Sequence, residues 1–471
     1  MSHVSLPSLR PSACPALSRI VAARDGGLCR VKLPGGVLHA AQALAIADAA
    51  EAHASGIVEL TNRANLQLRG VKSGHEAELS RRLRDAGLGP QIPAAQAAWQ
   101  ATVADDVRNL LLSPGAGIDE YALCDTQPLA REILVLLQSE PRLAALSPKF
   151  CLLLDGGERL AALDHPHDLW FAAMEAKADD EPWFAIGLAG QPTALQDTAA
   201  NPALAAVRAR DLPAMIMALL HTFLDVAAPD ENRMRDLLRR LSGADIVTRA
   251  ATRAAIELRC DSTICAWRRA PADPGRRFGA WRQRDARLWH VGGQPPLGRI
   301  DTHGLRALPM LAEEYGNGTF RLTPWQSVLI PDVPAAAVAD AKQRLASLGF
   351  LLDAQAPLAR LIACAGSTGC TKGLADTKRD ALDLAQRLPD GVDVHLSGCP
   401  RSCAAAHCAP YTLLAVEAGR YDLYRQEPLP ACAPLTTSDV AARFGVRIGT
   451  NLTLEAAAQL LGAAARSTLD D

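Results

Sequence analysis

The sequence predicts an α+β chain made by pseudo-twofold duplication: two small ferredoxin-like repeats, each followed by a longer α/β domain. Two observations carry this reading. First, Gly56-Ile57-Val58-Glu59-Leu60-Thr61-Asn62-Arg63 lies on Gly318-Thr319-Phe320-Arg321-Leu322-Thr323-Pro324-Trp325, at an offset of 262 residues that holds without a gap. At that offset Gly36 falls on Gly298, Glu51 on Glu313, Arg82 on Arg344, Leu83 on Leu345 and Gly87 on Gly349. Second, four cysteines stand as two spaced pairs in the C-terminal part, Cys364 with Cys370 and Cys399 with Cys403.

Within each repeat the elements follow one order. A helix with apolar periodicity (about 41–54, then about 304–315) leads through a glycine into an alternating strand. A second strand follows (Leu66 to Val71, then Val328 to Val333), and a second amphipathic helix stops at Gly87 or Gly349. The chain therefore divides into an N-terminal segment with the first repeat (1–95), a first α/β domain (104–235), an arginine-rich connector (236–290), the second repeat (291–355) and a second α/β domain carrying the cysteine pairs (356–471).

Composition narrows the classes. A chain of 471 residues suggests two to four domains, and 49 % apolar residues can fill their cores. The net charge of −2 gives no bulk attraction to nucleic acid or membranes, and no apolar run approaches the roughly 20 residues of a membrane span. Met1 to Arg30 is punctuated by Pro7, Pro11 and Pro15 and holds no continuous apolar signal segment, so a cytoplasmic protein is expected. In a reducing compartment twelve cysteines read as ligands or thiols, not disulfides. Cys14, Cys29, Cys124, Cys151, Cys260, Cys265, Cys408 and Cys432 are read as thiols, most of them buried.

The two pairs have the chemistry of a [4Fe–4S] site, where four thiolates complete the cube. Structural zinc prefers tighter pairs, C-x2–4-C, and buried free thiols are the plain alternative. Each pair follows a short apolar run (Ala359 to Ala363, Val392 to Leu396) and precedes a stretch that could open a helix, which predicts two strand-to-helix turns. The connector is densest in arginine over about 261–290, with Arg268, Arg269, Arg276, Arg277, Arg282, Arg284 and Arg287. It reads either as a solvated linker or as a wall facing a polyanionic ligand.

This order, with C-x5-C and C-x3-C in the last domain, resembles the sulfite and nitrite reductase family over nearly the whole chain. The resemblance implies a [4Fe–4S] cluster on Cys364, Cys370, Cys399 and Cys403, with the last of these bridging to a tetrapyrrole. Thr61-Asn62-Arg63-Ala64-Asn65-Leu66-Gln67 is similar to the family's T-x-R-Q-x-x-Q strand, Arg108-Asn109-Leu110 to its R-N-V/I turn, and Pro148-Lys149-Phe150 to its R-K-F-K run. Arg63, Arg108 and Lys149 are thereby implied as cations facing the tetrapyrrole. One departure stands out: where the reductases carry a second lysine, this chain has Cys151.

The run Arg10 to Leu17, followed by Asp25 to Lys32, is similar to the opening of the family's oxygen-dependent branch, which acts on precorrin-3A in aerobic cobalamin synthesis. That resemblance implies precorrin-3A as substrate in place of sirohaem as cofactor. It also implies O2 as oxidant, hydroxylation at C20 with γ-lactone closure, NADH as reductant and a mononuclear non-haem iron. No G-x-G-x-x-G loop follows a strand, so an electron-donor protein or a weak NADH site is expected. A non-haem iron calls for two histidines and a carboxylate. His165 and His167 beside Asp168, and His395 and His407 around the second cysteine pair, are the histidines near enough in sequence, and none makes a convincing array. Cys408 is set aside as a ligand, and Arg401 reads equally as a carboxylate contact or a surface residue. A sirohaem-dependent sulfite or nitrite reductase, and an iron–sulfur electron-transfer or tetrapyrrole-carrier protein, stay open as alternatives.

Overall fold

The structure is a computed structural model and describes residues 14–91, 98–175, 181–192, 202–405, 409–426 and 443–467. Residues 10–13 of the N-terminal run, His407, Cys408 and Cys432 lie outside them. The first repeat supplies β1 (Val21–Ala23), β2 (Gly26–Val31), β3 (Val37–His39), β4 (Ile57–Leu60) and β5 (Leu66–Val71). The first α/β half supplies β6 (Leu110–Leu112), β7 (Leu152–Asp155), β8 (His167–Ala173), β9 (Trp183–Gly190) and β10 (Ala205–Arg208). The second repeat brings β11 (Gly279–Arg282), β12 (Leu288–Gly293), β13 (Arg299–Asp301), β14 (Thr319–Leu322) and β15 (Val328–Pro334). The last half brings β16 (Leu361–Ala363), β17 (Val394–Ser397), β18 (Tyr411–Glu417), β19 (Arg420–Arg425) and β20 (Val446–Leu452).

The two repeats do not close separate sheets. One sheet runs β1-β2-β5-β4-β13 and another β11-β12-β15-β14-β3, so each repeat lends one strand to the other. Ile300 of β13 pairs with Val58 of β4, and Leu38 of β3 pairs with Phe320 of β14. The reason is local. In each copy a glycine at positive φ, Gly36 (+70°) or Gly298 (+69°), turns the chain out just before the lent strand. A Cβ at Gly36 would press into the carbonyl oxygen of Leu322 in the other repeat. The helices Ala40–His53 and Thr302–Tyr315 then pack on one another, and Ala43, Ile46, Ala47, Leu305, Leu308 and Phe320 enter a single apolar core.

Both α/β halves repeat one topology: three parallel strands (β6, β7, β8; β16, β17, β18) followed by two antiparallel ones. Continuous apolar runs such as Leu110-Leu111-Leu112 form the parallel strands because these are buried on both faces. The duplication thus extends beyond the ferredoxin-like repeats, and the turns after β16 and β17 have counterparts after β6 and β7.

The arginine-rich connector is divided: Arg269 and Arg276 are buried, whereas Arg282, Arg284 and Arg287 are exposed. Arg269 is buried and forks onto Asp155 at 2.6 and 3.0 Å. Arg276 pairs with Glu120 at 3.0 Å and stacks on the rings of Tyr121 and Trp281. Arg284 donates to the carbonyl of Ala122. Gly279–Arg282 then forms the edge strand of the second repeat's sheet, with Leu288–Gly293 beside it.

Candidate active site

The cysteines stand where strands of the last half end. Cys364 follows β16 directly, and Cys399 follows β17 after Gly398. Because β16 and β17 are parallel neighbours, the two turns lie side by side: Cys364 N–H donates to Leu396 O (3.3 Å) and Leu374 N–H to Gly398 O (2.9 Å). Gly398 N–H points at the Cys364 sulfur at 3.2 Å, the amide-to-sulfur bond that stabilises a thiolate ligand. A Cβ at Gly398 would stand 3.3 Å from that sulfur, and one at Gly366, whose φ is +61°, would meet Ala375 O at 2.7 Å. The loop Gly366–Gly373 therefore wraps closely around the first pair. Packing around the Cys403 thiol, then its neighbours Cys399, Cys364 and Cys370, raises its pKa above the ordinary thiol value, while Arg401 opposes. Four thiolates brought together would repel one another, and a cube of four irons would compensate them; the residues present fit such a cluster. The helix expected after the second pair does not form among the described residues: Pro400 follows Cys399, and Ser402 takes a left-handed φ of +52°.

Arg63 sits in the turn between β4 and β5. The Thr61 hydroxyl accepts from the amides of Arg63 (3.3 Å) and Asn65 (3.1 Å), and Ala64 turns at φ +54°. That turn reaches the last cysteine, for Asn62 Nδ2 donates to Cys403 O at 3.3 Å. Among the described residues the Arg63 guanidinium makes no ion pair. Beside it stands Arg30, whose Nε is buried without a partner and whose pKa is lowered by burial and by Arg63. His167, 2 % exposed, also feels the Arg63 charge. Burial, then Arg63, His165 and Arg233, hold its pKa well below the ordinary imidazole value, so the ring is neutral. Arg30 was legible in part, since alternation along β2 sends Cys29 and Val31 into the core and Arg30 to the opposite face.

The other two implied cations are placed differently. Arg108 is anchored to Asp105 (3.2 Å) and to Lys32 O (3.3 Å), whereas Lys149 is exposed and makes no ion pair among the described residues. Asn109 binds their two turns together by donating to Pro148 O (2.7 Å) and Phe150 O (3.1 Å). Lys32, buried, has its pKa lowered to about 8 by desolvation. Cys151 is 1 % exposed: its amide donates to Asp168 Oδ2 (2.9 Å), and its sulfur lies 3.7 Å from that oxygen and 3.9 Å from Arg233. Asp168 and Arg233 form a buried ion pair at 2.9 Å. Arg233 carries no local sequence signal, being 65 residues from its partner.

His165 bonds Asp164 at 2.6 Å and stands edge-on to Trp325, and His395 is buried on β17. Among the described residues no group of three His, Cys, Asp or Glu side chains is arranged to hold a single metal ion, so a mononuclear iron finds no protein ligand set there. In the first half the counterparts of the cysteine turns carry Ser113 after β6 and, at and after the end of β7, the buried carboxyls Asp155 and Glu158, with Arg269 paired to Asp155.

A family model described as nitrite/sulfite reductase ferredoxin-like half domain matches residues 22–86 and 281–348, and one described as nitrite and sulphite reductase 4Fe-4S domain matches residues 103–256. The chain belongs to the nitrite and sulfite reductase family. Together the two models span more than half of it, and the 4Fe-4S domain supports an iron–sulfur cluster in this chain, although the matched half is the one without the cysteine pairs. Among family relatives, the chloroplastic ferredoxin–nitrite reductase of Zea mays is 29 % identical over 81 % of this chain and 68 % of its own length. Precorrin-3B synthase of a Sinorhizobium species is 28 % identical over 88 % and 83 %. The solved Mycobacterium tuberculosis NirA protein superposes with a TM-score of 0.65 at 21 % identity, covering 85 % of this chain and 74 % of that one, a likeness of fold. The family's named members are oxidoreductases, and no helix among the described residues is long and apolar enough to cross a membrane.

Proposed function

We propose that this chain is a precorrin-3B synthase, a monooxygenase that hydroxylates precorrin-3A at C20 and closes the ring A acetate as a γ-lactone. Cys151 carries the choice. Where a reductase has a second lysine for its small oxyanion, this chain has a buried thiol against Asp168 and Arg233, which brings no free cation to the pocket. What remains suits a large carboxylated macrocycle: among the described residues Arg63 makes no ion pair and the Arg30 Nε has no partner, and Lys149 stands at the exposed end. The relative of that name also matches over most of its own length.

In this reading Cys364, Cys370, Cys399 and Cys403 hold a [4Fe–4S] cluster, which supplies single electrons when bound. One atom of O2 enters the C20–H bond as hydroxyl and the other leaves as water, with two electrons and one proton from NADH, passed through a cytoplasmic donor protein, and the second proton from solvent. Arg63 and Arg30 would hold substrate carboxylates, with Arg108 fixing the floor beneath them. His167, kept neutral, would face the macrocycle edge with one ring nitrogen. Fixing the edge in this way can lower a barrier by several kcal/mol. A mononuclear iron belongs to this chemistry, yet its ligands do not assemble among the described residues, and no step is assigned to it.

A sirohaem-dependent nitrite or sulfite reductase is the second reading, favoured by the retention of Arg63, Arg108 and Lys149 and by the nitrite reductase relatives. The absorption and EPR spectra of anaerobically purified protein separate the two. A precorrin-3B synthase gives cluster bands and a reduced-cluster signal alone, whereas stoichiometric sirohaem would overturn the proposal. A carrier without chemistry would bind precorrin-3A and return it unchanged after oxygen is admitted.

A further inference from the structure

Two buried cations from different parts of the chain do the same thing at the first cysteine pair. Arg69 of β5 donates to the carbonyl of Gly369, the residue before Cys370, at 2.5 Å. Lys378 donates to the carbonyl of Ala363, the residue before Cys364, at 3.2 Å, and to Leu297 O at 2.8 Å. Their side chains are 8 % and 7 % exposed. Each cation feels the neighbouring thiol, Arg69 that of Cys370 and Lys378 that of Cys364.

The anions opposite them are few. Asp25, 30 % exposed, forks onto Arg69 at 2.8 and 3.0 Å. Glu59 on β4, 10 % exposed, lies 3.9 Å from Lys378 and accepts from Arg299 at 2.9 Å. At the position of Glu59 the second repeat carries Arg321, which donates to Pro114 O and Ala116 O in the cysteine-free turn after β6. The carboxylate with two cations is thus confined to the cysteine side.

We propose that Arg69 and Lys378 are positioning residues that set the reduction potential of the cluster held by Cys364 and Cys370, with Glu59 as the opposing charge. The inference rests on the cluster assignment made above. Reduction adds an electron to the cluster, so a fixed positive charge held against the ligand backbone favours the reduced form and raises the potential. A negative charge in the same buried network lowers it.

The test is an EPR-monitored dithionite titration of the full-length holoprotein, with iron content and circular dichroism measured on the same samples. Arg69→Met and Lys378→Met shift the midpoint negative, Glu59→Gln shifts it positive, and Arg69→Lys, which keeps the charge, returns it toward wild type. Unchanged midpoints in cluster-loaded variants overturn the inference, as do shifts of the same sign for Arg69→Met and Glu59→Gln, which would mark a structural disturbance. A wild-type protein without a cluster overturns the assignment beneath it, a result distinguishable at the iron assay.

Discussion

At the scale of single residues, the candidate ligands stand out where spacing announces them. Cys364, Cys370, Cys399 and Cys403 could be read because thiolate ligands need two turns and two pairs, and parallel strands β16 and β17 bring those turns together. Arg63 was legible from its turn. His167 was visible as a histidine, but not as a neutral one, because that depends on its burial and on Arg63 and Arg233 arriving from other elements. His290 gives a test of burial. Desolvation lowers its pKa to about 4 although it bonds Arg276 O at 3.0 Å. The unfolded chain then binds the proton first, so stability is intact above pH 6.5 and falls as pH drops from 6.5 toward 4. Urea denaturation across that window should show wild type losing up to about 3 kcal/mol more than His290→Gln. Parallel pH slopes would place the charge elsewhere.

At the scale of elements, periodicity gave the helices and strands of both repeats to within a few residues but not the exchange of β3 and β13. Each lent strand is only three residues long, and nothing in three residues says which sheet receives them. The exchange predicts that the repeats unfold together. Ile300→Ala, at a residue 4 % exposed between the two sheets, should cost about 2–5 kcal/mol. Hydrogen exchange should then show Ile57–Leu60 and Thr319–Leu322 losing protection in step; protection lost in one repeat alone would contradict a shared core. The connector's role was equally hidden, because an arginine run looks alike whether solvated or buried. Arg269→Met leaves Asp155 buried and unpaired, and should cost about 3–5 kcal/mol by chemical denaturation, much of it regained in Arg269→Met with Asp155→Leu.

At the scale of the whole molecule, one duplicated framework has been given two unlike halves. The last half keeps two glycine-lined cysteine turns, while the first fills the matching place with Asp155, Glu158 and Arg269. The first repeat reaches the cysteine side twice, with Asn62 donating to Cys403 O and Arg69 to Gly369 O. In the proposed reading, electrons from the cysteine side reduce oxygen at a macrocycle held on the other. Its central claim is that oxygen enters the macrocycle, and the direct measurement is a single turnover under oxygen-18. Reduced protein is mixed anaerobically with precorrin-3A, exposed to labelled O2, and the product is weighed by mass spectrometry. The account predicts a hydroxylactone carrying one oxygen atom from the gas; unlabelled or unchanged precorrin-3A would contradict it.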